Sequence, residues 1–223
     1  ASQVSNPWRG VAPARRAAVL KKLHEYTGLS EEYLDKANLR VDEGKFTQEL
    51  LRQKGMTVGR LDARFTGTTL DVLAKEADYD PQSTAISAAY IAGPVGQTGG
   101  AGKFRQGRPD RATTYEIGRA WDFKHRVPGG EFPRPMVNTI PDLAHALTVN
   151  PNLRVLVQNG TYDLATPFFA TEGMMNALGL EKGLRAHVEM KYYPAGHMMY
   201  VYEPALKAFK ADIAEFIDRT SKP

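Results

Sequence analysis

Cysteine is absent from all 223 residues. That excludes a disulfide framework, thiolate metal ligands and a cysteine nucleophile, and it assigns no compartment. Long hydrophobic runs are missing as well. No stretch of about 18 apolar residues occurs, so nothing reads as a membrane span. Charge of one sign is scarce: 29 Lys and Arg stand against 25 Asp and Glu, a formal net charge of +4. The surplus gathers between Lys103 and Arg126. Neither zinc-finger spacing nor an aromatic-rich platform accompanies it, so that stretch reads as solvated surface and not as a nucleic-acid site. An initiator Met is lacking too. The chain starts ASQVSNPWRG, which reads either as the result of a removed leader or as the continuation of a segment lying elsewhere. The hydrophobic share, 42%, is ample for a folded core of one or two domains.

Residues 12–90 read as mainly helical. Pro13 suits a first helical position, and Ala17, Val19, Leu20, Leu23 and Tyr26 follow on one face up to Gly28. Ser30 is placed to cap a second helix, with Glu31 and Glu32 in its first turn and Tyr33, Leu34 and Ala37 on its apolar side. A third helix is expected over Lys45–Lys54, with Phe46, Leu50 and Leu51 inward and Gly55 ending it. The stretch 57–67 has no helical period and reads as an ordered loop or a short strand pair. A fourth helix is expected over roughly 82–91. Helices this short need tertiary packing to persist.

Residues 92–152 read as irregular. The run GPVGQTGGAGKF (93–104) holds five glycines in twelve positions. It fails the phosphate-loop pattern, because Phe104 follows Lys103 where Ser or Thr is required, and Gln97 stands where the first glycine belongs. A mobile surface loop is the expectation there. A short helix is expected in 115–124, a linker over 127–135, and a helix over Val137–Leu147 interrupted early by Pro141.

The last seventy residues are more regular. LRVLVQ (153–158) is an apolar run of the kind that forms buried parallel strands. Thr166 is placed to cap a helix beginning at Pro167 and running through Leu178 to Gly179. AHVEMKYY (186–193) alternates as a second strand. A last helix starts near Pro204, with Leu206, Phe209, Ile213, Phe216 and Ile217 as its apolar stripe. Strand, helix, strand, helix is the order of an α/β domain with a parallel sheet. Parallel sheets seldom have two strands, and nothing before residue 150 supplies convincing others. The fold class is therefore read as α/β with a central sheet incomplete in this chain, its other strands coming from a further polypeptide or a preceding part of the gene product. A small self-contained α/β domain is the alternative.

Reactive groups in open α/β sheets collect beyond the carboxyl ends of strands. Asp163 lies five residues past the first strand and His197 four past the second. A carboxylate that accepts the imidazole proton, and an imidazole that then takes a proton from a hydroxyl, is the orienter and base of nucleophilic catalysis. The chain order, Asp and then His, suits the Ser…Asp…His arrangement of α/β-hydrolases. Gly160 permits a sharp departure from the strand, and Gly196 lets its loop approach closely. Met198 and Met199 are placed to wall the imidazole, and Asn159 and Tyr162 to tie down the Asp loop. His24, His125, His145 and His187 have no acid placed by a matching strand end. No HExxH motif occurs and no second His lies near His197, so neither a metal nor a cofactor is expected. No GxSxG elbow occurs either; Ser2, Ser5, Ser30, Ser83, Ser87 and Ser221 all lack its strand–turn–helix context.

VLVQNGTYDLATPFFATE (155–172) and YYPAGHMMYVYEPAL (192–206) resemble the two segments carrying the triad aspartate and histidine of bacterial serine carboxypeptidase-like peptidases. YTGLSEEYLDKANLRV (26–41) with FTQELLRQKGMTVGRLDARFTG (46–67) is similar to that family's helical insertion. The resemblance implies the C-terminal part of an α/β-hydrolase. Residues 1–135 would be the helical cap and an irregular connection, and residues 136–223 part of the core. It implies Asp163 and His197 as triad members. It also implies removal of C-terminal residues from peptides through an acyl-enzyme, and a periplasmic or secreted location. The family's Gly-x-Ser-Tyr-Gly-like motif has no counterpart here, so the serine would come from an N-terminal chain or segment of the same precursor, and this chain alone would be inactive. An esterase or acyltransferase using the same triad, or a non-catalytic hydrolase-like binding protein, are the alternatives.

Overall fold

The computed structural model describes residues 11–100 and 114–221, leaving aside the side chains of 94–100. It divides between Ser83 and Thr84 into two units. No helix among the described residues is long and apolar enough to cross a membrane.

In the first unit, α1 (Pro13–Thr27) starts on its proline and ends at Gly28, whose φ of 74° lets its N–H return to the His24 carbonyl. The Ser30 hydroxyl accepts the Tyr33 N–H and starts α2 (Glu31–Lys36). Leu29, Leu34 and Leu39 form the core beneath, with Val19, Leu20, Leu23, Phe46 and Leu50 packed on them. The third helix departs from expectation. Asp42 caps it through the Lys45 N–H, so α3 (Glu43–Glu49) begins earlier. It gives way to a 3₁₀ turn at Arg52–Lys54, closed by Gly55. Its most buried residues are Thr47 and Gln48, not the apolar ones. Beyond it, β1 (Met56–Val58) pairs antiparallel with β2 (Thr66–Thr68), the second of the two readings, loop or strand pair, given for this stretch.

α4 (Pro81–Gly100) corrects the expectation of a loop at 93–104: the backbone is helical as far as Gly100, and 101–104 lie outside the described residues. Ala85, Ala88, Ala89 and Ala92 favour a helix up to Gly93, and extending an existing helix is easier than starting one, which offsets the poor propensity of glycine and the hydrogen bond missing at Pro94. The basic stretch is described only from residue 114 onward.

In the second unit, α5 (Tyr115–Ala120) is shorter than the helix expected in 115–124, and the expected linker over 127–135 is tied back to the residues before it. His125 and Arg134 exchange backbone hydrogen bonds of 2.9 and 2.7 Å. α6 (Ile140–Val149) holds Pro141 in its first turn, where the missing N–H costs nothing, so the proline starts the helix instead of interrupting it.

β3 (Val155–Gly160) and β4 (Val188–Tyr193) run parallel, in register from Val155 opposite Val188 to Gly160 opposite Tyr193. Between them lie α7 (Phe168–Asn176) and the unforeseen single turn α8 (Lys182–Arg185). α9 (Glu203–Thr220) closes the chain. Side chains alternate across the sheet. On one face Val155, Val157, Val188 and Met190 pack with Leu147 of α6 and with Met175 and Leu178. On the other, Lys191 and Tyr193 bond to Asp212 of α9, and Glu189 holds Arg219. Helices thus cover both faces of a two-stranded sheet. Among its residues only Asn159, Gly160, Val188 and Tyr193 are buried. The stripe foreseen on α9 is partly displaced, because Ala205 is its buried residue while Leu206 and Ile217 are exposed. The molecule is a mixed helix-and-strand protein with small sheets.

Candidate active site

Two loops leave the carboxyl ends of the neighbouring parallel strands, and backbone pairing continues past the sheet to hold them together. The Thr161 N–H donates to the Tyr193 carbonyl at 2.9 Å, and the Tyr162 N–H to that of Ala195 at 3.0 Å. A Cβ on Gly160 would lie 2.2 Å from the Gly196 carbonyl oxygen. Gly160 therefore serves close approach, and its backbone φ is not in the left-handed region. Asn159 is buried, and its side-chain amide donates to the Lys191 carbonyl across the two strands at 3.2 Å.

This zipper brings Asp163 and His197 together: Nδ1 of the imidazole lies 2.9 Å from Oδ2 of the carboxylate. The Asp163 side chain is 5% exposed and that of His197 45%. Oδ1 of Asp163 accepts the backbone N–H of Ala165 at 2.8 Å and of Thr166 at 3.0 Å. Oδ2 accepts the Thr166 hydroxyl besides the imidazole. Burial alone pushes this carboxyl upward, but the Thr166 hydroxyl and N–H, together with His197, outweigh it and hold it below the usual carboxylate range. An ionised carboxylate has no proton to give, so Nδ1 carries the hydrogen in their shared bond. The proton on Nδ1 leaves Nε2 with a free lone pair on a half-exposed ring. Such a pair can take a proton from a hydroxyl and later return it.

Thr166 was expected to cap the following helix. Instead α7 begins at Phe168 with Pro167 at its N-cap, and the hydroxyl goes to Asp163. The spacing Asp-x-x-Thr carried the signal, because an Asp side chain readily accepts the N–H groups two and three residues on. Tyr162 contributes its backbone N–H, and its ring is exposed. Gly196 is buried, and Met198 is half-buried with its carbonyl accepting the Val201 N–H. Met199 packs on the cluster of Tyr193, Ala195 and Ala205.

Three of the other histidines make contacts away from this pair. His24 bonds the Leu29 carbonyl through Nδ1 at 2.7 Å. His187 Nδ1 meets the Arg154 guanidinium at 2.9 Å, at the opposite ends of the strands. His125 Nε2 meets Asp142 at 2.7 Å, an acid carried by the first turn of α6 and not by a strand end, and the contact joins the 121–135 stretch to that turn. No group of three or more His, Asp or Glu placed to hold a metal occurs among the described residues. No family model, no curated protein and no solved structure matches the chain.

Proposed function

We propose that this chain supplies the base and the orienting carboxylate of a serine-type carboxypeptidase with an α/β-hydrolase core, the serine being contributed by a further segment of the same precursor. One observation carries the reading: Asp163 and His197, delivered by loops after two adjacent parallel strands, meet at 2.9 Å through Nδ1. That leaves Nε2 for a hydroxyl nucleophile. The narrow sheet is consistent with further strands, because Val155 to Gln158 of β3 are only half-buried, whereas strands of parallel sheets are ordinarily buried on both faces.

Nε2 of His197 takes the serine proton as the oxygen attacks the carbonyl of the last peptide bond. Asp163 stabilises the resulting imidazolium. His197 returns the proton to the departing amine, which leaves as a free amino acid, and the acyl group stays on the serine. Water, deprotonated by the same nitrogen, releases the shortened peptide and restores the enzyme.

The test starts from the chain recovered with every polypeptide that accompanies it, identified by intact mass. The expected result is a second polypeptide labelled on serine by a phosphonate probe, and release of the last residue from N-blocked dipeptides that is lost in His197→Ala. Cleavage of simple esters without blocked peptides would replace peptidase by esterase. Absence of both label and hydrolysis would overturn the reading in favour of a non-catalytic protein.

A further inference from the structure

We infer that Thr166 is a positioning residue that, together with Asp163, keeps the proton of the His197 imidazole on Nδ1 by holding the ring against the carboxylate; its value for catalysis rests on the reading above. The Thr166 hydroxyl donates to Oδ2 of Asp163, the same oxygen that receives the imidazole N–H. With its hydrogen committed there, Oγ1 turns a lone pair toward Nδ1, 3.3 Å away. Nδ1 therefore faces two acceptors, the carboxylate at 2.9 Å and the hydroxyl at 3.3 Å. A bare nitrogen between two oxygens would be repelled by both. A protonated one is held by both, and the free lone pair is confined to Nε2.

The hydroxyl is not what seats the carboxylate. Oδ1 of Asp163 is gripped by the Ala165 and Thr166 backbone N–H groups, which every side chain at position 166 except proline retains. Among the described residues the imidazole has no comparable anchor. Its side chain is 45% exposed, so packing restrains the ring weakly and the bonds at Nδ1 carry its orientation. Removing the hydroxyl is thus expected to loosen His197 while leaving Asp163 in place. A residue that merely supported the loop would do the reverse, lowering stability without touching the ring.

The experiment reads the ring directly in the full chain, labelled with ¹⁵N in its imidazoles, with His197→Gln assigning the signals. In the wild type the ¹⁵N shifts are expected to report Nδ1 protonated, with a persistent downfield Nδ1–H proton. Thr166→Val is close in shape, and Thr166→Ala removes the same oxygen without the β-branch. Both are expected to populate the Nε2–H form and to lose the downfield proton to exchange with water. Thr166→Ser is expected to restore both signatures. A Val and an Ala variant that keep the wild-type tautomer and downfield proton, with only a lower melting temperature, would overturn the inference. These signals need neither substrate nor partner, so they decide the role of Thr166 whether or not the assembled protein proves to be a peptidase. Within an active assembly, the accompanying expectation is a fall in kcat with KM unchanged in Thr166→Val, reversed by Thr166→Ser.

Discussion

Gly160 and Gly196 meet backbone to backbone. A Cβ at position 160 would lie 2.2 Å from the carbonyl oxygen of Gly196 and 2.6 Å from that of Ala195. No real Cβ tolerates such distances against main chain, so a larger residue must push the His loop off the Asp loop. Gly160→Ala is expected to cost ~1–3 kcal/mol of stability, the range for overpacking a close-packed site. It is also expected to break the Asp163–His197 bond. Thermal melting and the Nδ1–H proton signal of His197 check both, and an unaltered imidazole signal in a folded Gly160→Ala protein would contradict the coupling.

Asp163 links the pair to acid stability. Its carboxyl lies below the usual range in the folded chain, so folding favours the ionised form. The resulting stabilisation is complete above the unfolded value, near 4, and is lost as pH falls through the lower folded value. Asp163→Asn removes this dependence and is expected to flatten the fall in stability below about pH 4. It also presents the imidazole with an amide, which can favour the wrong tautomer. In an active assembly the loss of rate is then expected to approach the ~10⁴-fold known for such errors. Urea midpoints from pH 2 to 7 and single-substrate kinetics are the measurements.

Much of the second unit was legible because its signals are local and strong. β3 and β4 stand out as apolar or alternating runs, and a parallel pairing follows from the helix between them. Asp163 and His197 were placed by counting past the strand ends. Thr166 was misread because capping and carboxylate binding compete for the same hydroxyl, and only the Asp three residues earlier decides between them. The α9 stripe was misjudged at Leu206 and Ile217 because periodicity names an apolar side without saying how far it is covered. In the first unit Gln48 defeated the pattern altogether, since a buried polar side chain has no periodic signature.

Gln48 is fully buried, and its amide nitrogen bonds the Thr69 hydroxyl at 3.1 Å and the Asp71 carbonyl at 2.9 Å. It joins α3 to the segment after β2, a task an apolar residue cannot perform. Gln48→Met keeps the volume and leaves the Asp71 carbonyl without this donor. The expected cost is ~1 kcal/mol, the net worth of the bonds removed, because the Asp71 carbonyl keeps the Thr69 hydroxyl at 3.2 Å and the Ala74 N–H at 3.1 Å. Denaturant unfolding measures it. A Met variant as stable as the parent would show that the network contributes shape alone.

Tyr193 ends β4 with its hydroxyl donating to Asp212 of α9 at 2.7 Å and accepting the Gln158 amide at 2.9 Å. Burial, and then the bond to the Asp212 carboxylate, push its phenol up to about 12. An unfolded tyrosine ionises near 10, so the folded state resists losing this proton. That stabilisation is intact below about pH 10 and disappears as pH climbs through about 12. Lys191, also raised by its bond to Asp212, adds to the same alkaline loss. Tyr193→Phe separates the two, because it removes the phenol and leaves the lysine. The variant is expected to be less stable at pH 7 by ~1 kcal/mol, having lost a donor to Asp212 and an acceptor for Gln158. Its stability is expected to fall less steeply between pH 10 and 12 than that of the parent. Urea midpoints across that interval decide the matter, and parallel curves for the two proteins would remove Tyr193 from the alkaline transition.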